Sequence, residues 1–181
     1  MMNNKMLSWI FVVTLFFGSC SDDSDDNTNT ATFNGESFSL DKGFLEPAGL
    51  NYDSDGEPIE TYAIDVYLMS ATVEYNSSVD EFSGEGNLIA LDLNTSEENE
   101  LASGTYTYSD EKGLRDEFVL SGGEVYINYD VSVEAPKGEE ESITGGTIEV
   151  SINGDEITFL IDLTTESSTF TGTYTGTLQS I

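Results

Sequence analysis

The chain has 181 residues, and its 35 Asp and Glu against five Lys and Arg give a formal charge of −30. A surface of that sign repels phosphate backbones and anionic headgroups, which argues against nucleic-acid binding and favours divalent cations. His is absent and Cys20 is the only Cys, which excludes an intramolecular disulfide framework, a Cys/His zinc site and a Ser-His-Asp triad.

The first six residues carry one cation, Lys5, and residues 7–17 form a mostly apolar run that ends in small residues. This is the pattern of a secretory signal. Eleven residues at about 1.5 Å each make roughly 16 Å of helix, short of a ~30 Å hydrocarbon core, so a permanent transmembrane helix is not expected. Phe17-Gly18-Ser19-Cys20 follows, and then Ser21-Asp22-Asp23-Ser24-Asp25-Asp26. The first segment resembles the lipobox of bacterial lipoproteins, in which the Cys is lipidated and becomes the new N-terminus. The second resembles the acidic export signal of surface lipoproteins in Bacteroidota. This resemblance covers about the first 26 residues. It implies acylation of Cys20, anchoring in outer-membrane lipid and display on the outer face of the outer membrane. Each buried acyl CH₂ contributes about 0.8 kcal/mol, and more than one chain makes anchoring stable. The alternatives are an ordinary cleaved signal that leaves a free thiol and, for the acidic run, a spacer on a periplasmic lipoprotein.

The expected organisation is therefore a signal peptide over residues 1–19, the lipidated Cys with a flexible acidic tether over 20–31, and one all-β domain over 32–181. The tether holds almost only Ser, Asp, Asn and Thr and cannot bury apolar surface; its root-mean-square reach is roughly 18 Å. The domain holds seven of the ten Phe, and the apolar fraction of 38% suffices for a single core of about 150 residues.

From Thr32 onward the apolar residues recur with a period of two. Phe33, Asn34-Gly35 and then Phe38 and Leu40 predict an opening hairpin, because Asn-Gly suits a type I′ turn. Residues 60–70 alternate Tyr62, Ile64, Val66 and Leu68 against Ala63, Asp65, Tyr67 and Met69, a long strand with one buried face. Residues 87–94 do the same with Ile89, Leu91 and Leu93. One helical turn capped by Thr95 or Ser96 is expected over residues 95–102, then a Thr/Tyr strand through Tyr106 and Tyr108. Residues 123–134 set Val125, Ile127, Tyr129, Val131 and Val133 against Glu124, Tyr126, Asn128, Asp130 and Ser132. Ile148, Val150 and Ile152 lead through Asn153-Gly154 to Ile157, Phe159, Ile161 and Leu163, another hairpin. A last strand carries Phe170, Gly172, Tyr174, Gly176 and Leu178 on one face, its glycines marking curvature or close backbone approach. Gly104-Thr105-Tyr106-Thr107 recurs as Gly172-Thr173-Tyr174-Thr175, which coincidence or a shared strand environment explains better than an internal repeat.

Eight to ten strands joined as consecutive hairpins predict an all-β fold, an antiparallel up-and-down β-barrel that is lipocalin-like in outline; a two-sheet β-sandwich is the alternative. Two groups of residues are candidate sites. Asn51, Asp53, Asp55 and Glu57 surround Gly56 with oxygen ligands at the spacing of the first half of a calcium-binding loop, although the twelfth position is Tyr62 and an acidic turn between strands explains the same residues. Tyr106 and Tyr108 on one strand face, and Tyr126, Asn128 and Asp130 on another, offer stacking beside amides and a carboxylate, the parts of a sugar-binding platform. Adjacent acids such as Asp80-Glu81 and Glu139-Glu140-Glu141 point to opposite strand faces and do not make the paired carboxylates a glycosidase needs. The expected function is a non-enzymatic cell-surface lipoprotein that binds a small molecule or glycan. The alternatives are an accessory partner of an outer-membrane protein complex and, last, a glycoside-acting enzyme. No cofactor other than calcium is expected.

Overall fold

The structure is a computed structural model that describes residues 29–53, 55–111, 115–132 and 138–181. Cys20, the expected signal and most of the expected tether lie outside the described residues. Those described form thirteen strands: β1 (Thr30–Phe33), β2 (Glu36–Ser39), β3 (Lys42–Tyr52), β4 (Pro58–Met69), β5 (Glu74–Asn76), β6 (Glu81–Ser83), β7 (Glu85–Thr95), β8 (Gly104–Tyr108), β9 (Val119–Asp130), β10 (Glu139–Asn153), β11 (Glu156–Thr165), β12 (Thr169–Gly176) and β13 (Gln179–Ser180). The fold is all-β, as the period-two patterning predicts.

Eleven strands make one sheet in the order β13-β3-β4-β7-β9-β8-β10-β11-β12-β1-β2, and β5 and β6 pair separately. Eight of the ten neighbouring pairs are antiparallel, four of them between strands consecutive in the chain, and the sheet curls into a half-barrel whose edges are β2 and β13. Antiparallel pairing of β1 with β12 joins the two ends of the described chain. Two pairings are parallel, β13 with β3 and β8 with β9. The second arises where β9 and β10 pair directly at Glu124–Ile127 against Glu139–Ser142 and then diverge; β8 fills the fork, bonding to β9 on one side and β10 on the other.

The two Asn-Gly hairpins use their dipeptides differently. In β1–β2, Asn34 (φ 54°) and Gly35 (φ 81°) occupy both central positions, the type I′ arrangement. In β10–β11, Asn153 pairs with Glu156, so the centre shifts to Gly154-Asp155, and only Gly154 has a positive φ, 65°. That places Gly first, as type II′ requires. Gly172 reflects close backbone approach: a Cβ there would sit 2.9 Å from the Thr30 carbonyl oxygen on β1.

One face of each long strand turns inward. Ile64, Val66 and Leu68 of β4, Ile89, Leu91 and Leu93 of β7, Val125 of β9, Phe159, Ile161 and Leu163 of β11, and Phe170 and Tyr174 of β12 belong to one buried cluster. Tyr106 and Tyr174, the tyrosines of the repeated tetrapeptide, both lie in it, which is the shared environment expected. Large side chains fill this interior; Phe159, Phe170 and Tyr106 are wholly buried. The expected helical turn over residues 95–102 is not helical. Thr95 ends β7, and its hydroxyl accepts from the Glu97 amide at 3.2 Å, closing a tight turn in place of a helix cap.

A second, smaller cluster lies on the outer face, where Phe44, Met69, Val73 and Leu88 are buried beneath the β5–β6 hairpin.

Candidate functional site

The outer face of β3, β4, β7 and β9 is laid out in rows by the strand register. Glu46, Asp65, Asp92 and Gly122 stand side by side in one row, and Phe44, Tyr67, Ala90 and Glu124 in the next. Met69, Leu88 and Tyr126 form the third. The β5–β6 hairpin folds across this surface because its own apolar residues, Tyr75 and Phe82, find partners only there. Phe82 lies 5.6 Å from Phe44 and 5.2 Å from Tyr67, centroid to centroid. Tyr75 lies 5.8 Å from Phe44. Between the hairpin and β9 runs an open groove of about 520 Å³, walled by Tyr67, Phe82, Leu88, Tyr126 and Tyr129, with Asp80 and Glu81 along the hairpin side.

Tyr129 faces the groove through an irregularity in β9. Strict alternation would send Tyr129 to the face opposite Tyr126. Instead the register slips where Ile127 and Asn128 oppose Asn87, Asn128 adopts φ 49°, and its amide donates to Asn87 Oδ1 at 2.9 Å. This is a β-bulge, a device that re-aims side chains. The Tyr126 and Tyr129 rings then meet edge to face at 4.7 Å.

Acids line the hairpin side of the groove and crowd the sheet beside it. Like charges directly opposite on neighbouring strands repel, and Glu46, Asp65 and Asp92 are such a run. The Tyr67 hydroxyl donates to Glu46 at 3.2 Å and the Tyr129 hydroxyl to Glu140 at 3.3 Å. Burial first, then Asp92 and Glu46, pushes the Asp65 carboxyl from its ordinary 3.8 up to about 6. Burial also raises Asp92, with Arg115 opposing, and it raises Glu124 together with Asp92 and Glu140. Tyr126 is pushed up to about 12 by burial and then by Glu124 and Glu140.

A stability prediction follows from Asp65. Its folded carboxyl holds a proton more tightly than the unfolded one, so its penalty is absent below about pH 4 and complete above about pH 6, and stability falls as pH rises through that window. Asp65→Asn is expected to stabilise the domain at pH 7.5 by about 1 kcal/mol, the ~3 kcal/mol of the full rise being discounted for a half-exposed carboxylate. The melting temperature should rise by roughly 3 °C, with no difference from the wild type at pH 3.5. Urea unfolding at both pH values measures this, and an equal effect at both would assign it to packing.

The residues singled out in the sequence are dispersed. Asn51 is buried, its amide donating to Asn94 Oδ1 at 2.9 Å and to the Thr61 hydroxyl at 3.2 Å. Asp53 Oδ1 accepts from the amides of Asp55 and Glu57, each at 2.9 Å, so this carboxylate closes the turn. Asp55 and Glu57 are exposed, and among the described residues no three His, Cys, Asp or Glu are grouped to hold a metal. Tyr106 is wholly buried against Phe118, at 5.3 Å, with its hydroxyl donating to the Ala102 carbonyl at 3.0 Å; it has no ring face to offer a ligand. Tyr108 packs half-buried against the same interior. Asp130 Oδ1 accepts from the Ser132 amide at 3.0 Å, and Asn128 lines a separate hollow of about 310 Å³ with Phe38 and Ile127. Of the five tyrosine-strand residues, Tyr126 alone lines the groove.

Sequence reasoning missed Tyr67, Phe82 and Tyr129 as groove residues. For Tyr67 the signal was present, since alternation sets Asp65, Tyr67 and Met69 opposite Ile64, Val66 and Leu68. Tyr129 depends on a bulge that alternation does not reveal.

Comparison with family models, with curated proteins and with solved structures finds no match for this chain.

Proposed function

We propose that this chain is a non-enzymatic, lipid-anchored cell-surface protein whose all-β domain binds a small molecule or glycan in the groove between the β5–β6 hairpin and β9. The observation that carries this reading is the contrast between the two faces of the sheet. Phe159, Phe170 and Tyr106 are packed wholly buried into the interior, whereas the outer face presents Tyr67, Phe82, Tyr126 and Tyr129 around an open groove. Its volume lies in the range of about 300–1,000 Å³ usual for small-molecule sites.

A hydrolase is the weaker reading. An acid and nucleophile need environments that push their pKa values apart, yet Asp65, Asp92 and Glu124 are all pushed upward.

Anchoring and binding are tested on one pair of proteins. Cys20→Ser should abolish metabolic labelling by palmitate and move the chain from the membrane to the soluble fraction; continued membrane retention would remove the lipid anchor from the proposal. With the soluble Cys20→Ser protein, ligands from a glycan array and a small-molecule thermal-shift panel should lose at least tenfold in affinity when Tyr126→Ala is added. Hits indifferent to Tyr126 would place binding elsewhere.

A further inference from the structure

We propose that the outer-face groove takes a linear aliphatic polyamine, whose methylene segments lie on the tyrosine and phenylalanine rings while its ammonium groups meet Asp80 and Glu81 on the hairpin wall and the carboxylates of the sheet rows beside the groove. The inference rests on the outer-face binding proposed above and adds the charge and shape of the ligand.

Charge complementarity selects the occupant. Asp80 and Glu81 line the groove from the hairpin, and Glu46, Asp65, Asp92 and Glu124 occupy the first two rows of the sheet beside it. Lys42 does not neutralise this surface, because its ammonium is held by Glu74 at 2.6 Å and by the carbonyls of Ala71 and Val73 at 2.9 Å. Arg115 acts on Asp92, in the outermost of the three rows. A cation entering the groove therefore relieves repulsion already built into the folded protein, whereas a neutral sugar leaves that repulsion in place.

The form of the cation follows from the walls. A hard divalent ion needs six to eight convergent oxygens at about 2.3–2.6 Å, and the carboxylates are instead spread over four strands and a hairpin. Diffuse ammonium charge suits π faces backed by carboxylates. The Tyr67 and Tyr129 hydroxyls donate to Glu46 and Glu140, which fixes the two rings and leaves carboxylates beside them. Successive rows lie about 6.6 Å apart along the strands, so one chain carrying several ammonium groups can meet acids that a single amine cannot reach together.

The test is calorimetric titration of spermidine into the full mature chain carrying Cys20→Ser, in 150 mM NaCl, where the screening length is about 8 Å and diffuse attraction is weak. Saturable one-site binding is expected. Tyr67→Leu combined with Tyr126→Leu keeps every charge and should weaken binding at least tenfold. Glu97→Gln with Glu98→Gln removes two exposed acids in the loop after β7 and should leave affinity within twofold. Urea unfolding of each variant confirms folding, and Tyr126→Phe, which keeps the ring, should retain most of the affinity. If the double tyrosine variant binds spermidine as the parent does, the interaction is counter-ion attraction by an acidic protein and the proposal falls. If a neutral oligosaccharide binds with Tyr126 dependence while spermidine does not, outer-face binding stands and the polyamine is overturned. If neither ligand responds to the tyrosine substitutions, both readings fall.

Discussion

Phe159→Ala is expected to cost about 4 kcal/mol of folding stability, within the 3–5 kcal/mol usual for truncating a buried phenylalanine. Phe159 sits on β11 between Val150 of β10 and Tyr174 of β12. It is wholly buried, and its ring lies 6.2 Å from that of Tyr174. Truncation removes its dispersion contacts and opens a void that strands bonded on both sides cannot close. Against a total stability of about 5–15 kcal/mol the loss is large, and the melting temperature should fall by roughly 8–15 °C. Urea unfolding measures it. The result also separates two kinds of barrel. A side chain that borders a ligand cavity has fewer contacts to lose than one packed on all sides, so a loss of about 4 kcal/mol is what a filled position predicts. Ligand binding to the outer groove should survive in the fraction that remains folded.

Most of the fold is legible in the sequence because burial on one face of a sheet writes itself as alternation. Ile64-Val66-Leu68, Ile89-Leu91-Leu93 and Phe159-Ile161-Leu163 all read correctly. The Asn34-Gly35 hairpin was equally plain, since that dipeptide meets a specific backbone demand. The insertion of β8 into the fork between β9 and β10 was not, because a parallel pairing made by two residues of a five-residue strand has no local signature. The groove was harder still. Its walls come from four segments, β4, the β5–β6 hairpin, β7 and β9, and Phe82 on a three-residue strand has no pattern to mark it. Alternation groups Tyr126 with Asn128 and Asp130, and the bulge at Asn128 breaks that alternation. The sequence therefore named the right strand and the wrong neighbours.

The row of Glu46, Asp65 and Asp92 runs against the interest of stability, and this bears on function. Alternation on an exposed strand face leaves many polar residues open to choice, and a threonine or lysine at any of the three positions would lower the repulsion. Destabilising arrangements that persist beside a groove are a usual mark of a binding site, where function is held at some cost to folding. Asp65→Asn should accordingly make the domain more stable and its groove a poorer host for cations, opposite effects that a purely structural carboxylate would not produce.

Asn94→Leu is expected to cost about 3 kcal/mol, for a different reason from Phe159. Asn94 is wholly buried near the end of β7. Its Oδ1 accepts from Asn51 at 2.9 Å, and its Nδ2 donates to the Val119 carbonyl at 3.3 Å. Among the described residues every buried side-chain polar atom has a partner, so the leucine would create new orphans. Each buried group stripped of its partner costs about 1–3 kcal/mol. Replacing Asn51 and Asn94 together by leucine removes the donor along with the acceptor and should recover at least 1 kcal/mol relative to the sum of the single losses, a coupling that a double-mutant cycle reads directly. Single losses below 0.5 kcal/mol, or strict additivity, would contradict the bonding described. The same cycle assigns the acidic loop that follows Asn51. If Asn51 is a strut between β3 and β7 and Asp53 closes the turn, then Asp55→Asn and Glu57→Gln should each leave stability within about 0.5 kcal/mol, with or without millimolar calcium. The oxygen ligands that alternate so suggestively along this stretch are then divided among three tasks: holding the sheet, shaping the loop and solvating its tip.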